Sequence, residues 1–231
     1  FAWVTCPKIL KQFKRDMENI DEKIEIKLPN FVKLGENACY SNSSDLTIEK
    51  KKKQAEKVER FIALEEYTFD CHKIEGEFTV AGNHFGDWLA ENAVNPERAW
   101  AEKLKTDIVV LSNDDFKDFT ELSTQVITRT KIENATGTVA QGQLWTEEYL
   151  PAETVMYSLA FASDFFLNDE QKKKYKEDKY PSKLIDIPKD QKETNELVME
   201  FLEKGFGALN NLVQIGGNAT LGKGLTHVKI V

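Results

Sequence analysis

Few residues in this chain have the types and spacing to do chemistry. The acidic pair Glu147–Glu148 runs straight into Tyr149, so two carboxylates and a phenol sit together as candidates for proton transfer. Far downstream, Gly216, Gly217, Asn218, Thr220 and Lys223 lie in the stretch QIGGNATLGKGLTHV. Glycines there let backbone N–H groups approach a phosphate without a Cβ in the way, and Lys223 adds a point charge. The same two glycines could simply stop a preceding helix. The stretch lacks the GxxxxGK[ST] spacing of a P-loop after a strand, which excludes a nucleotidase of that kind. Cys6, Cys39 and Cys71 lie far apart without CxxC spacing, and His72, His84 and His227 are scattered. No metal site is expected from them, and the cysteines read as reduced and unpaired.

The carboxylates must be placed by the elements around them. Val126, Thr128, Thr130 and Ile132 alternate with Ile127, Arg129 and Lys131, the period of two expected of a strand. Asn134, Ala135, Thr136 and Gly137 supply a turn, with Gly137 able to take the positive φ that a short hairpin loop requires. A second arm resumes at Thr138 and carries Val139, Leu144 and Trp145 to Glu147–Glu148 and Pro151. The pattern predicts a projecting hairpin with Arg129 and Lys131 on one face and apolar Ile132 and Val139 near its tip. An ordinary meander edge would share that pattern. Residues 153–165, ETVMYSLAFASDF, are apolar on both faces and predict a central strand at the root of the hairpin.

A chain of 231 residues, 41% hydrophobic and 30% charged, is long enough for one core plus an insertion and has the composition of a globular protein. No apolar run approaches the roughly 18 residues of a membrane span, and nothing resembles a signal peptide, so no membrane partner and a cytoplasmic location are expected. A net charge of −8 argues against a free-standing nucleic-acid binder held by bulk electrostatics. A local basic strip inside a larger assembly remains compatible with it.

In chain order, residues 1–5 read as a short strand and residues 8–19 as an amphipathic helix entered through Pro7, with Ile9, Leu10, Phe13 and Met17 on one face. Lys8, Lys11, Lys14 and Arg15 on the other face suit solvent or RNA. Residues 21–44 look irregular, with weak strand signals at 24–28, and residues 50–53 are four lysines. Residues 61–70 predict one strand that puts Glu65 and Glu66 on opposite faces. Helices follow at 85–94, from Asn95–Pro96 through Trp100 and Leu104, and from Asn113 with Phe116, Phe119 and Leu122 on one face, with a buried strand at 107–111. Residues 168–192 are highly charged, with Tyr175 and Tyr180 among lysines, as a mobile loop or a base-stacking surface would be. Residues 194–212 predict the clearest helix, running into the glycine-rich stretch and a final strand at 225–231. Helix, loop and strand in that order make the second half of a ferredoxin-like βαββαβ unit.

Three stretches together resemble one family. The run TRTKIENATGTVAQGQLWTEEYLPAETVMY at 128–157 is similar to the thumb hairpin of the backbone subunit of type III-B (Cmr) CRISPR effector complexes, within the RAMP superfamily. FAWVTCP at 1–7 resembles that family's strand-to-helix junction, and residues 214–228 resemble its C-terminal glycine-rich loop. The three fall in family order and span the chain.

The resemblance implies an α+β fold: a ferredoxin-like (RRM-like) RAMP palm, a helical finger insertion at 80–122, a β-hairpin thumb at 124–150 and the second half of the palm at 153–231. It implies a subunit that binds CRISPR RNA, stacks on other copies of itself and on other Cmr subunits, and positions single-stranded target RNA for cleavage at six-nucleotide intervals. Arg129, Lys131, Gly216, Gly217, Asn218, Thr220 and Lys223 would contact RNA, and Ile132 and Val139 would wedge the duplex. The family's cleavage depends on a divalent metal, Mg or Mn, and on an aspartate in an N-terminal loop. This chain, which begins at Phe1 at the end of a strand, is expected to lack that loop, which leaves its own activity open. Glu147, Glu148 and Tyr149 would then be supporting groups for scission by the RNA 2′-OH. Two other readings share parts of this pattern. One is another RAMP protein, such as a type III-A backbone subunit or a guide-processing endoribonuclease using His227. The other is a structural or interaction protein that binds no RNA.

Overall fold

The structure, a computed structural model, describes the chain except for Lys33 and residues 52–57, 95–98, 164–167 and 171–193. Two compact units make it up, Phe1–Met156 and Tyr157–Val231. Tyr175, Tyr180, most of the charged stretch at 168–192, the Asn95–Pro96 helix start and half of the lysine run lie outside the described residues. The described part is a mixed α+β fold.

In the first unit, β1 (Trp3–Thr5) passes through Cys6 into α1 (Pro7–Ile20). Pro7 sits in the first turn, where its missing N–H costs nothing. Leu10, Phe13 and Met17 recur at helical spacing and are buried, whereas Ile9 points outward at 41% exposure. The centre of the unit is β9 (Ile108–Leu111), a continuous apolar run buried at all four positions, as a strand covered on both faces should be. It pairs in parallel with β1 and antiparallel with β3 (Ala38–Tyr40). Next to β3, in parallel, is β6 (Tyr67–His72), followed by β5 (Val58–Leu64) and the edge strand β4 (Thr47–Lys51). The order is therefore β1-β9-β3-β6-β5-β4. Three short strands, β2 (Ile26–Lys27), β7 (Thr79–Val80) and β8 (Asn83–His84), form a second small sheet.

Alternation along β9 sorts the core into two clusters on opposite faces. Ile108 and Val110 join Leu10, Phe13, Met17, Phe85 and Leu104. Val109 and Leu111 join Cys39, Ile62, Phe69 and Cys71, with Phe116 and Phe119 of α4 (Asn113–Leu122) packed against them. Helices α2 (Phe85–Asn92) and α3 (Ala99–Thr106) meet at Gly86, where a Cβ would lie 2.3 Å from the Lys105 carbonyl oxygen. Only a glycine admits that approach. At the start of β9 the fully buried Asp107 carboxylate accepts from Ser43 Oγ at 2.7 Å and Thr106 Oγ1 at 3.0 Å and pairs with Lys103 Nζ at 3.1 Å. A buried carboxylate needs such partners, and these anchor the β3–β4 connection to β9.

Several expectations change. Residues 61–70 are not one strand: β5 and β6 form a hairpin whose turn holds Glu65, at φ 51°, and Glu66. The buried positions change phase at the turn, from Ile62 on β5 to Phe69 and Cys71 on β6, with the two glutamates between them. Ser112, not Asn113, caps α4, its side chain accepting from the Asp115 N–H at 3.0 Å. Leu122, expected on the apolar face of α4, is exposed. The weak strand signals at 24–28 correspond to β2, whereas the buried strand β3 arises at Ala38–Tyr40, where irregular chain was expected. Residues 153–163 form no strand. The chain turns at Glu153, with φ 63° and Thr154 Oγ1 donating to the Pro151 carbonyl at 2.6 Å, and Trp3 Nε1 holds the Glu153 carbonyl at 3.0 Å. Apolar content suits a strand only where a neighbouring strand can complete its ladder, and among the described residues none pairs with it.

The second unit contains α5 (Thr194–Ala208), β12 (Leu212–Gln214) and β13 (Leu225–His227). The helix closes on asparagines, not on the glycines: Asn210 and Asn211 are left-handed, and the Asn211 N–H donates to the Phe206 carbonyl at 2.8 Å. Strands β12 and β13 pair antiparallel, so the glycine-rich stretch is the loop of a hairpin, not a link from helix to strand. The expectation that 153–165 and 225–231 share one sheet therefore fails on both segments.

Candidate nucleic-acid interface

The hairpin that the alternation predicts is present as β10 (Gln125–Ile132) and β11 (Val139–Tyr149), which pair only with each other. Its turn is closed by the Gly137 N–H on the Glu133 carbonyl at 2.9 Å and the Glu133 N–H on the Thr138 carbonyl at 2.8 Å, with Gly137 at φ 69° as the turn requires. The register is regular from Gln125↔Tyr149 to Thr130↔Leu144 and then shifts before Ile132↔Val139. At the shift a single residue, Lys131, faces the longer stretch 140–143 on β11, a bulge that leaves Lys131 exposed. Ile132 and Val139, 50% and 46% exposed, face each other beyond it.

The two faces of this ribbon differ. One carries Arg129, Trp145, Glu147 and Tyr149. The Arg129 Nε and the Tyr149 hydroxyl both donate to Glu147 Oε2, and Trp145 Nε1 donates to Oε1 at 3.0 Å. These donors, Tyr149 first, then Trp145 and Arg129, hold the Glu147 carboxyl down to about 2, against the opposing effect of desolvation. Glu147 is thus ionised at neutral pH, with both oxygens engaged. It is a weak proton acceptor and a strong anchor for the guanidinium beside it. Glu148 projects from the opposite face, where Thr124 Oγ1 donates to it at 2.5 Å. The expected group of three is therefore split, two residues on one face and one on the other. Trp145 belongs to the site and was not singled out for it. The i, i+2 spacing of Trp145, Glu147 and Tyr149 on one strand was the available signal.

In the second unit, the loop between β12 and β13 exposes Gly216, Gly217, Asn218 and Thr220, with Lys223 half-buried. Left-handed residues at Gly216, Asn218, Gly222 and Gly224 fold it back on itself. The Asn218 carbonyl accepts from the Leu221 and Lys223 N–H groups at 2.9 and 3.3 Å, and Gln214 Nε2 donates to the Gly216 carbonyl at 2.8 Å. The Leu221, Gly222 and Lys223 N–H groups are thus turned inward to carbonyls of the loop itself. His227 sits half-buried in β13, its Nδ1 enclosed without a hydrogen-bond partner. The hairpin residues and the loop residues thus form two groups, one in each unit.

The divalent metal implied by the resemblance does not fit this chain's described residues, since no three His, Cys, Asp or Glu side chains among them converge enough to hold an ion. Also among the described residues, no helix is long and apolar enough to cross a membrane.

A model of the RAMP superfamily matches residues 18–227, most of the chain. The chain belongs to the RAMP superfamily. Within curated RAMP relatives, it is 31% identical over 235 aligned residues to the CRISPR system Cmr endoribonuclease Cmr4 of Pyrococcus furiosus. That alignment takes in all of this chain and 62% of the relative, so the chain spans about three-fifths of the length of the protein it matches. The crystal structure of oligomeric Cmr4 from Pyrococcus furiosus is similar at a TM-score of 0.50 and 20% identity, covering 98% of this chain and 63% of that one. At that identity the likeness speaks for the fold alone, a RAMP fold.

Proposed function

We propose that this chain is an RNA-binding backbone subunit of a type III-B CRISPR effector complex. The observation that carries the reading is sequence identity of 31% to a Cmr endoribonuclease across the whole chain, within the RAMP superfamily. In this reading the subunit works in the cytoplasm. It stacks along the CRISPR RNA with copies of itself and other Cmr subunits, and it holds single-stranded target RNA opposite the guide. The large sheet of the first unit, β9 included, belongs to a ferredoxin-like palm, the helical segments within residues 80–122 act as fingers and residues 124–150 as the thumb. A solvated two-stranded ribbon with apolar Ile132 and Val139 at its end suits insertion between stacked bases, where breaking one stack costs a few kcal/mol.

The site residues take roles their surroundings favour. Arg129, oriented by Glu147, and the exposed Lys131 meet phosphates beside the displaced base. Gly216, Gly217, Asn218 and Thr220 bring backbone N–H groups to the guide backbone, and Lys223 adds charge, positioning RNA without reading sequence. Tyr149 and Glu148 assist the geometry of scission from the base of the thumb, while Glu147 acts through Arg129.

The test is chemical probing of the guide–target duplex in complexes assembled with wild-type subunit or with residues 132–141 replaced by a short linker. Loss of the periodic reactivity with guide binding largely retained is expected. Periodic reactivity that survives the deletion would reduce the hairpin to a meander edge.

A further inference from the structure

A polar row crosses the face of the large sheet that lies beneath α4. Cys39 on β3 and Cys71 on β6 are direct partners in the parallel register, both buried. On β5 the residue after the Phe61↔Asp70 pair is Arg60, which stands beside Cys71 and is itself the register partner of Glu49 on β4. The Arg60 side chain is only 13% exposed, and its Nε and Nη1 find no hydrogen-bond acceptor. The Glu49 carboxylate stays 3.7 Å from Nε, and Nη2 reaches Thr47 Oγ1 at 3.3 Å. The ion pair with Glu49 leaves Nε and Nη1 without a hydrogen bond, so a second anion beside the guanidinium is favoured. The group placed to become that anion is the Cys71 thiol.

The charges around the pair divide its two sulfurs. The Cys71 thiol is held down to about 7, chiefly by a hydrogen bond from Cys39 and then by Arg60 and Thr47, against burial, which raises it. Cys39 is pushed upward by that same hydrogen bond, by burial and by Asp70. When protonated, Cys71 reaches only long contacts, 3.9 Å to the Ser41 carbonyl and 3.7 Å to that of His72. Cys6, in the turn between β1 and α1, has no such surroundings.

We propose that Cys39 and Cys71 form a peroxide-oxidisable dithiol, with Cys71 as the attacking thiolate and Cys39 as the resolving thiol. The Cys71 sulfur attacks one oxygen of hydrogen peroxide, the O–O bond breaks and hydroxide leaves, giving a sulfenic acid at Cys71. The Cys39 sulfur then attacks the Cys71 sulfur, the S–O bond breaks, and the departing hydroxide takes the Cys39 proton as water. Both sulfurs together lose two electrons and the peroxide becomes two waters. Peroxide is hardly larger than water, and Cys71, 6% exposed, is the more accessible of the two cysteines, Cys39 being fully enclosed. The product is a covalent tie between β3 and β6 at the centre of the sheet.

The test treats the full chain with hydrogen peroxide under native conditions, then denatures it, blocks remaining thiols with iodoacetamide and maps peptides by mass spectrometry. The expected result is a linked Cys39–Cys71 peptide pair, lighter by two hydrogens, with Cys6 alkylated. Alkylation of all three cysteines, linkage through Cys6, or sulfinic acid at Cys71 without linkage would each overturn the proposal. C39S should leave Cys71 sulfenic acid that dimedone traps, and absence of the adduct in folded C39S would count against the assignment. R60Q, folded as judged by circular dichroism, should form the linkage about tenfold more slowly at neutral pH, as thiolate is lost. An unchanged rate there would remove Arg60 from the site.

Discussion

The large sheet of the first unit and the β10–β11 ribbon are both made of β-strands, yet opposite forces hold them. Along β9 every side chain is buried, and strand identity is set by apolar packing on two faces. Along β10 and β11 most side chains face solvent, and the ribbon keeps its shape through its own ladder, a glycine turn and the contacts that converge on Glu147. An isolated two-stranded ribbon is marginal unless something packs on it. The contrast teaches that burial on two faces fixes the sheet, while the ribbon depends on its own ladder, its turn and its surface contacts.

The sharpest way to break the comparison is to remove one buried ring. Phe69→Ala, at a site 2% exposed, should cost about 4 kcal/mol of stability, read from the denaturant midpoint. The matching truncation on the ribbon, Val126→Ala at 61% exposure, should stay within about 0.5 kcal/mol. Equal losses would mean that the ribbon is part of the core. Gly86→Ala should come next, costing about 1–3 kcal/mol, because its Cβ would force α2 away from the Lys105 carbonyl.

Glu147 sharpens the contrast from the other side. Glu147→Gln should leave the global unfolding midpoint nearly unchanged while amide exchange in β10 and β11 speeds up and that of β9 does not. Since its carboxyl is held down from an ordinary 4.5 to about 2, its contribution to the ribbon is complete above pH 4.5 and is lost as pH falls through about 2. The Trp145 indole N–H, which donates to it, should report that titration by NMR with a midpoint near 2, and a midpoint near 4.5 would mean that the contacts around Glu147 do not persist in solution. The smallest effect should be Lys223→Ala, which should weaken guide binding alike for all guide sequences and lower the salt slope by about one phosphate contact. Loss confined to one guide sequence would contradict a positioning role.

Much was legible from residues alone, and for local reasons. Alternation from Val126 to Ile132 with Gly137 at the turn specified the hairpin, because a period of two and a left-handed turn are local properties. Leu10, Phe13 and Met17 specified the buried face of α1, and the run at 107–111 specified a buried strand, though the central place in the sheet was expected of 153–165. Three stretches in family order pointed to the RAMP superfamily before any fold was known. Tertiary structure decided the rest. Whether residues 153–163 became a strand depended on a partner ladder, which no periodicity encodes. Whether residues 61–70 were one strand or two depended on a turn at Glu65 that has no glycine to mark it. The glycine-rich stretch became a hairpin loop because Asn210 and Asn211 ended α5 first. Arg129 was brought to Glu147 across the ribbon. Cys39 and Cys71, distant in sequence and unremarkable in spacing, met because β3 and β6 pair in register. The last two are pairings between residues distant in sequence, and their free energy exists only once both partners have been placed.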